Sequence, residues 1–208
     1  MSYKNLDMPK VEEAVKNLLI ALGEDVEREG LKETPKRVAK YWAELLEGED
    51  YTNDEIAKMF RKDFNVSYDS IVIKEVKNVY SHCEHHMASM SGTVYVAYIP
   101  EYWNRKDDSE GYRVIGLSKI PRIVDMCAKR FQLQEKLNAD IAKCIQLATG
   151  SNRVYVRSVM NHCCVSARGS RSEGLTDATF ISPALRKDSD ARKEIEGKVQ
   201  ELHLSSVR

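Results

Sequence analysis

The hydrophobic periodicity of the chain changes once, near residue 70, and this change limits the folds that the chain can adopt. Before it, apolar residues recur at helical spacing from Val11 to Leu22, and Gly23 is placed to end that helix. Thr34-Pro35 predicts the start of a second helix, and Thr52, with a glutamate three residues later, predicts the start of a third. After it, runs rich in Val, Ile and Tyr predict strands.

The elements predicted after residue 70 come in pairs. They are strands over 71–79 and 93–99, helices from Ser118 and over 134–148, strands over 154–159 and 176–181, and a charged helix from about Asp188. Strand pairs that enclose a helix pair predict an α+β fold, in which an antiparallel sheet carries the helices on one face. The other face then needs cover, which oligomerisation can supply. The polar segment between Pro100 and Tyr112 is predicted to be a loop.

Composition and charge argue against several classes of protein. The 32 basic and 32 acidic side chains balance, so no strongly charged surface for nucleic acid or for a membrane is expected. No apolar run reaches the length of a membrane span, and residues 1–10 lack the apolar segment of a secretory signal. The five cysteines are an odd number and are expected to be reduced thiols or metal ligands. We expect a cytoplasmic protein.

Cysteine and histidine concentrate in two short segments, Ser81 to His86 and His162 to Cys164. If the first forms a helical turn, Cys83 and His86 lie on one face, since residues three apart are neighbours on a helix. If the second continues a strand, His162 and Cys164 share a face. We therefore predict a zinc site formed by Cys83, His86 and Cys164, with a fourth position left to water as in catalytic zinc sites. Burial of the cysteines as small apolar side chains is the alternative.

Seven sequence blocks stand out along the chain: Glu33–Ala39, Cys83–His86, Val96–Pro100, Ile115–Lys119, Arg122–Val124, Gln132–Glu135 and Ala167–Gly169. These blocks, in this order, resemble those of the GTP cyclohydrolase I family. The resemblance spans about residues 31–171 and implies the tunnelling fold (T-fold), with a helical amino-terminal extension over 1–65 and a catalytic domain over 66–208. It also implies that subunits join their sheets into a barrel, in a homodecamer of two pentameric rings.

The resemblance further implies a reaction. A zinc-dependent enzyme of this family hydrolyses GTP at C8 of the purine, releases that carbon as formate, and recloses the rearranged product to 7,8-dihydroneopterin triphosphate. The folate, tetrahydrobiopterin and deazaguanine pathways can all begin at this step. His162 is then expected to protonate the purine N7, and His85 to be a second proton-transfer residue, since imidazole titrates near neutral pH. For either histidine, orienting a metal ligand without transferring protons is the alternative.

A triphosphate needs fixed positive charge, and guanine needs paired hydrogen-bond acceptors. Glu135 can accept from the guanine N1 and from its exocyclic amine. The resemblance also implies substrate contacts by Lys119, Arg122, Arg168 and Arg37 at the triphosphate, and by Gln134 and Ser118 at the ribose and phosphate. Without the surrounding motifs, these side chains would be interpreted as solvated surface charges, and Glu135 as a helix-capping residue.

Two segments depart from the family pattern. The approach to the first cluster, Val76 to Ser81, is one residue longer, which predicts a bulge in the strand. The segment from Glu101 to Tyr112 is expanded. Two other functions stay open: a T-fold pterin enzyme like 6-pyruvoyltetrahydropterin synthase, whose family holds zinc with three histidines, and a zinc-stabilised binding module without catalysis.

Overall fold

The computed structural model describes residues 5–67, 69–104 and 110–206. It divides into two compact units, one up to Asp50 and one from Tyr51 onward. The sequence-based boundary at residues 65 and 66 grouped the third helix with the extension, whereas that helix belongs to the second unit. The assignment of catalysis to the second unit stays a prediction. None of the helices in the described ranges has the length and apolar character that a membrane crossing requires.

Two helices make up most of the first unit: α1 (Met8–Ala21) and α2 (Thr34–Leu45), followed by a 3₁₀ turn (Glu47–Asp50). Asp7 caps α1, because its side chain accepts the backbone N–H of Lys10. Gly23 stands just beyond the helix at φ +85°, a left-handed conformation that glycine adopts at little cost. The two helices contact each other.

The second unit is built around a five-stranded sheet. Its elements in chain order are α3 (Asn53–Phe60), β1 (Asp63–Val66), β2 (Val72–Cys83), β3 (Ser89–Tyr98), β4 (Tyr102–Asn104), β5 (Glu110–Ile115), α4 (Lys119–Ala128), β6 (Phe131–Gln132), α5 (Gln134–Thr149), β7 (Val154–His162), α6 (Cys163–Ser166), β8 (Thr176–Ile181), α7 (Pro183–Lys187) and α8 (Ser189–Ser206). The strand order is β6-β2-β3-β7-β8, and among the strand pairings of the described residues only the short one between β6 and β2 is parallel. The predicted α+β fold, with a helix pair between two antiparallel strand pairs, is confirmed.

Local sequence explains where several helices begin and end. Thr52 and Glu55 form the predicted capping box at the start of α3, each side chain accepting the other residue's backbone N–H. Gly150 ends α5 in the left-handed conformation, at φ +77°. Ser118 occupies the predicted position before α4, but its side chain accepts no capping hydrogen bond.

Alternate residues of β3 divide between two hydrophobic cores, one on each face of the sheet. Val94 and Val96 pack into the core that α4 and α5 cover. Tyr95 points to the opposite face, where Ile195 and Val199 of α8 pack against the sheet. The sequence predicted helices on one face and left the other face without cover, and the charged terminal helix supplies part of that cover.

The segment predicted to be a polar loop contains two strands. β5 pairs with β4 and with β1 in a separate three-stranded sheet. Tyr102 and Tyr112 stand opposite each other in this sheet, with ring centroids 5.4 Å apart. The loop prediction was wrong because it gave weight to the central charges and not to the aromatic residues that flank them. Residues 105–109, the centre of that segment, lie outside the described ranges.

The predicted bulge before the Cys/His cluster is confirmed. The register of β2 against β3 shifts between Val76 and Val79, and Asn78 within this interval has φ +56°. Asparagine tolerates this left-handed conformation better than most residues. Regular pairing then resumes, with Val79 opposite Gly92, and continues to His82.

Candidate metal centre and active site

Cys83 is the last residue of β2, and the chain turns back from it into β3. Two backbone hydrogen bonds of 2.9 Å close this turn, from Cys83 N–H to Ala88 O and from Met87 N–H to Cys83 O. The turn brings Sγ of Cys83 to 3.8 Å from Nδ1 of His86. The bond from Met87 to Cys83 joins residues four apart, so residues 83–87 form a single helical turn between two strands, as predicted. The two side chains are neighbours on this turn.

Cys164 lies in α6, immediately after β7. The prediction that it shares a strand face with His162 was wrong, because β7 ends at His162 and the chain then forms a short helix. Strand β3 pairs with β2 on one side and with β7 on the other, and its Met90 lies opposite both Ser81 and His162. This register places the end of β7 close to the end of β2.

One ligand atom from each of Cys83, His86 and Cys164 lies within 4.8 Å of the other two. Within the described residues, this is the one group of three His, Cys, Asp or Glu side chains with that arrangement. Two thiols and an imidazole are ligands that zinc prefers, and three protein ligands leave a coordination position open. The structure therefore brings together the three residues predicted for the metal site, and their chemistry fits zinc. Binding of the ion is a proposal.

The three side chains differ in their environment. Cys83 is buried, Cys164 is half-buried and His86 is exposed. Burial raises the pKa of the Cys164 thiol, and the nearby Cys83 raises it further, because two adjacent thiolates would repel each other. A cation bound between them would counter both effects, since a cysteine binds metal as the thiolate.

Arg168 lies at the edge of this group, two residues beyond the end of α6. Its Nη1 donates a hydrogen bond to Nε2 of His86 over 2.9 Å. Its side chain is otherwise exposed. The guanidinium predicted to bind the triphosphate thus contacts a candidate metal ligand.

His162 ends β7, and Gln134, the first residue of α5, holds its ring. Nε2 of His162 lies 2.7 Å from Oε1 of Gln134. Burial lowers the pKa of His162, and the negative charge of Glu135 partly offsets this effect. The imidazole is therefore mostly neutral at pH 7 and able to accept a proton.

Sequence-based reasoning assigned Gln134 to the substrate and missed that this side chain is buried. It is 3% exposed and donates from Nε2 to the backbone carbonyls of Ser158 and Thr176. The signal was present in the sequence, since Gln134 precedes Leu137 by three positions and Ile141 by seven, on the apolar stripe of α5. A polar side chain on such a stripe is expected to have buried partners.

Two further contacts beside the metal centre had no sequence signal. The backbone N–H of Glu84 donates to Gln132 O over 3.1 Å, which ties the turn after β2 to β6. Ser89 Oγ donates to Sγ of Cys163 over 3.1 Å. Both contacts join residues distant in sequence, which a local pattern does not predict.

The second predicted proton-transfer residue and the predicted guanine-binding residue are both exposed. His85 lies in the turn between β2 and β3, with its ring centroid 6.2 Å from that of His86. Glu135 stands in the first turn of α5, next to Gln134. Both side chains are therefore accessible to a ligand that reaches this end of the sheet.

The other predicted substrate contacts lie near the start of α4, except for one. Ser118 precedes this helix and is exposed, and Lys119 begins it, donating its backbone N–H to Gly116 O over 2.8 Å. Arg122 follows one turn later and is exposed. Arg37 is exposed in α2, which belongs to the first unit.

Two solved structures are similar to the chain over about half of its length. The archaeosine synthase QueF-Like in its apo form gives a TM-score of 0.41 at 19% identity, over 56% of this chain and 96% of its own. A dihydroneopterin aldolase from Burkholderia thailendensis gives 0.38 at 14% identity, over 54% of this chain and 89% of its own. These distant similarities carry no conclusion about function.

The sequence relatives are closer. The GTP cyclohydrolase 1 of Clostridium acetobutylicum is 41% identical over 193 residues, which cover 90% of this chain and 94% of that protein. A Clostridium botulinum GTP cyclohydrolase 1 is 43% identical over 182 residues, covering 84% of this chain and 87% of the relative. That of Ruminiclostridium cellulolyticum is 42% identical over 195 residues, covering 89% and 94%. The family model described as GTP cyclohydrolase I matches residues 11–200. The chain therefore belongs to the GTP cyclohydrolase I family.

Proposed function

We propose that the chain hydrolyses GTP at C8 of the purine, releases formate, and recloses the rearranged product to 7,8-dihydroneopterin triphosphate. Family membership supports this activity over a 6-pyruvoyltetrahydropterin synthase-like lyase and over a binding module without catalysis. The structural observation that carries the proposal is the clustering of Cys83, His86 and Cys164, whose ligand atoms lie within 4.8 Å of one another. All the proposed site residues except Arg37 belong to the second unit, which we propose as the catalytic domain.

The chemistry of the cluster supports zinc as the cofactor. Cys83, His86 and Cys164 offer two soft sulfur ligands and one nitrogen ligand, and no fourth protein ligand completes the group within the described residues. Bound zinc would supply the Lewis acidity that activates water for attack on C8.

The histidines supply the proposed proton transfers. His162 is half-buried, is mostly neutral at pH 7, and is held by a hydrogen bond at Nε2, so its ring has a defined direction. In the reaction it takes up a proton and delivers it to N7 as the five-membered ring opens. His85 is accessible in the neighbouring turn and is the second proton-transfer residue.

Charge and hydrogen-bonding capacity support the proposed substrate contacts. Glu135 accepts hydrogen bonds from the guanine N1 and exocyclic amine, a pair of donors that adenine does not present. The triphosphate is assigned to Lys119, Arg122, Arg168 and Arg37, and the ribose and phosphate to Ser118. Gln134, which the sequence also assigned to the substrate, is 3% exposed, and both ends of its amide are hydrogen-bonded within the protein.

We also propose a cytoplasmic homodecamer of two pentameric rings. Within the described residues, β8 pairs only with β7, so one long edge of the sheet has backbone groups available to another subunit. One chain has a mass of 23.8 kDa, and ten chains give 10 × 23.8 = 238 kDa. Sedimentation equilibrium of the purified protein tests this assembly, and a mass near that of one chain would refute it.

The catalytic test is incubation with GTP of protein purified anaerobically and without chelators. Formate and the pterin triphosphate are measured separately, with a chelator-treated sample and the Cys164→Ala variant as controls. Metal-dependent formation of both products is expected. Formate without the pterin would show that ring opening occurs without reclosure, and absence of both products from zinc-loaded oligomer would refute the proposed activity.

A further inference from the structure

Gln134 is a buried amide that joins three elements of the second unit. It begins α5, and its Nε2 lies 2.9 Å from both the carbonyl oxygen and Oγ of Ser158 in β7 and 3.0 Å from the carbonyl oxygen of Thr176 in β8. Its Oε1 lies 2.7 Å from Nε2 of His162, at the end of β7. With 3% of its surface exposed, Gln134 has little freedom to turn.

These partners fix which end of the amide faces the histidine. The carbonyl oxygens of Ser158 and Thr176 can only accept hydrogen bonds, so the NH₂ group must face them. Oε1 then faces His162 and can itself only accept. Nε2 of His162 must therefore carry a hydrogen, and in the neutral ring the lone pair lies on Nδ1.

We propose that Gln134 is a positioning residue that fixes the orientation of the His162 ring and holds the neutral ring as its Nε2–H tautomer, so that the lone pair left for the substrate is on Nδ1. The tautomer follows from the contacts of Gln134 alone, and the use of Nδ1 in the reaction rests on the proposed function.

The chain offers a matched control for a purely structural role. Asn138 lies one helical turn further along α5, is 1% exposed, and donates to Ala178 O in β8 over 2.9 Å. Asn138 thus joins α5 to β8 through a side-chain amide, as Gln134 does. None of its described hydrogen bonds involves His162.

The tautomer is measured by nitrogen NMR of zinc-loaded protein labelled with ¹⁵N-histidine, and His162 is assigned from the spectrum of His162→Ala. The unsubstituted protein is expected to show the Nε2–H form of the neutral ring. Gln134→Met, which removes the acceptor at similar volume, is expected to give a mixture of tautomers, whereas Gln134→Glu keeps an acceptor and the Nε2–H form. An Nδ1–H ring in the unsubstituted protein, or an unchanged spectrum in Gln134→Met, would overturn the proposal.

Kinetics supply the second readout. Gln134→Met is expected to lower kcat for GTP about 100-fold with KM within about twofold, because a misdirected acid–base group slows chemistry more than binding. The kcat of Gln134→Glu should be at least about tenfold higher than that of Gln134→Met, although the carboxylate no longer donates hydrogen bonds to the strands. Asn138→Leu should keep kcat within about twofold. A loss in Asn138→Leu equal to that in Gln134→Met, or no recovery in Gln134→Glu, would show that Gln134 is only structural.

The two proposals fail in distinguishable ways. Absence of GTP turnover in the unsubstituted, zinc-loaded protein would refute the proposed function, while the NMR measurement would still decide the tautomer. Normal turnover with an Nδ1–H ring at His162 would refute the role of Gln134 and leave the proposed function intact.

Discussion

The guanidinium of Arg168 donates a hydrogen bond to Nε2 of His86 over 2.9 Å. Because a guanidinium only donates, Nε2 is the acceptor, and the hydrogen of the neutral ring lies on Nδ1, which is 3.8 Å from Sγ of Cys83. A metal ion binds a nitrogen lone pair, so binding through Nδ1 requires the hydrogen to be on Nε2. Two donors would then face each other, and the contact with Arg168 would break.

Arg168→Ala is therefore expected to bind zinc more tightly than the unsubstituted protein. Loss of a charge-assisted hydrogen bond of about 1.5 kcal/mol corresponds to about a tenfold gain in affinity. Competition against a zinc-binding dye measures the Kd. Arg171→Ala removes a positive charge from the same exposed segment and is the control. If both variants bind zinc with the same Kd, the contact with His86 does not oppose metal binding.

Cys83→Ala and Cys164→Ala are each expected to lose most of the bound zinc together with GTP turnover, because each deletes one of three protein ligands. Zinc per chain is measured by atomic emission on protein purified without chelators. Cys163→Ser is the matched control, since Ser89 donates to Sγ of Cys163 over 3.1 Å and a serine hydroxyl can still accept. Equal zinc content in Cys164→Ala and Cys163→Ser would remove Cys164 from the proposed ligand set.

The sequence predicted the neighbours at the metal centre better than the local structure that brings them together. Cys83 and His86 meet on the single helical turn that follows β2, as predicted, because residues three apart are neighbours on such a turn. Cys164 reaches the same place through α6, and not through the strand alternation that was predicted. Residues 83 and 164 approach each other because β3 pairs with both β2 and β7, a long-range register that local patterns do not encode.

Some features of the fold could be predicted from a few adjacent residues, whereas others depend on residues distant in sequence. The capping box at Thr52, the end of α5 at Gly150 and the bulge before Val79 are each determined by a few adjacent residues. The partners of Gln134 lie in two strands more than twenty residues away, so its sequence context indicated only that it would be buried. The pairing of β4 with β5 was not predicted, because the charged residues between the two strands made the whole segment resemble a polar loop.

Glu135→Gln is expected to raise the KM for GTP about 100-fold while zinc content stays unchanged, because the amide brings a donor against a guanine donor. Inosine triphosphate, which lacks the exocyclic amine, tests the assignment. The unsubstituted protein should favour GTP over inosine triphosphate in kcat/KM, and the preference should shrink in the variant. An equal preference in both proteins would exclude Glu135 from recognition of the exocyclic amine.

Gly92→Ala is expected to destabilise the second unit by about 3 kcal/mol or more. A Cβ at this position would overlap the carbonyl oxygen of Val159 and lie 2.7 Å from Cα of Met160, both in the backbone of β7. Neither atom can move without breaking strand pairing. Gly197→Ala in α8 is the control, because its Cβ would meet nothing within 4 Å and should raise helix stability by about 0.5–1 kcal/mol. Urea unfolding monitored by circular dichroism measures both changes, and similar midpoints for the two variants would contradict the close approach at Gly92.

Asp140 accepts hydrogen bonds from Gln132, Asn53 and Lys136 and pairs with Arg130 at 3.2 Å. Burial by itself would raise the pKa of Asp140, but these donors outweigh it and hold the pKa below the ordinary value of 3.8. A carboxyl whose pKa is lower in the folded state contributes stability above its unfolded pKa and loses it as the pH falls through the folded pKa. This contribution should therefore be complete above about pH 5 and decline below pH 3.8.

Asp140→Asn is expected to be less stable at pH 6, because the buried guanidinium of Arg130 loses its ion pair with this carboxylate. Its urea midpoint should also change less between pH 6 and pH 3 than that of the unsubstituted protein, since the titrating group has been removed. Asp125→Asn is the control, because Asp125 pairs with Lys129 at 3.1 Å with 60% of its side chain exposed, and such pairs contribute little. Parallel midpoint curves for Asp140→Asn and the unsubstituted protein would show that this cluster does not stabilise the second unit through the charge of Asp140.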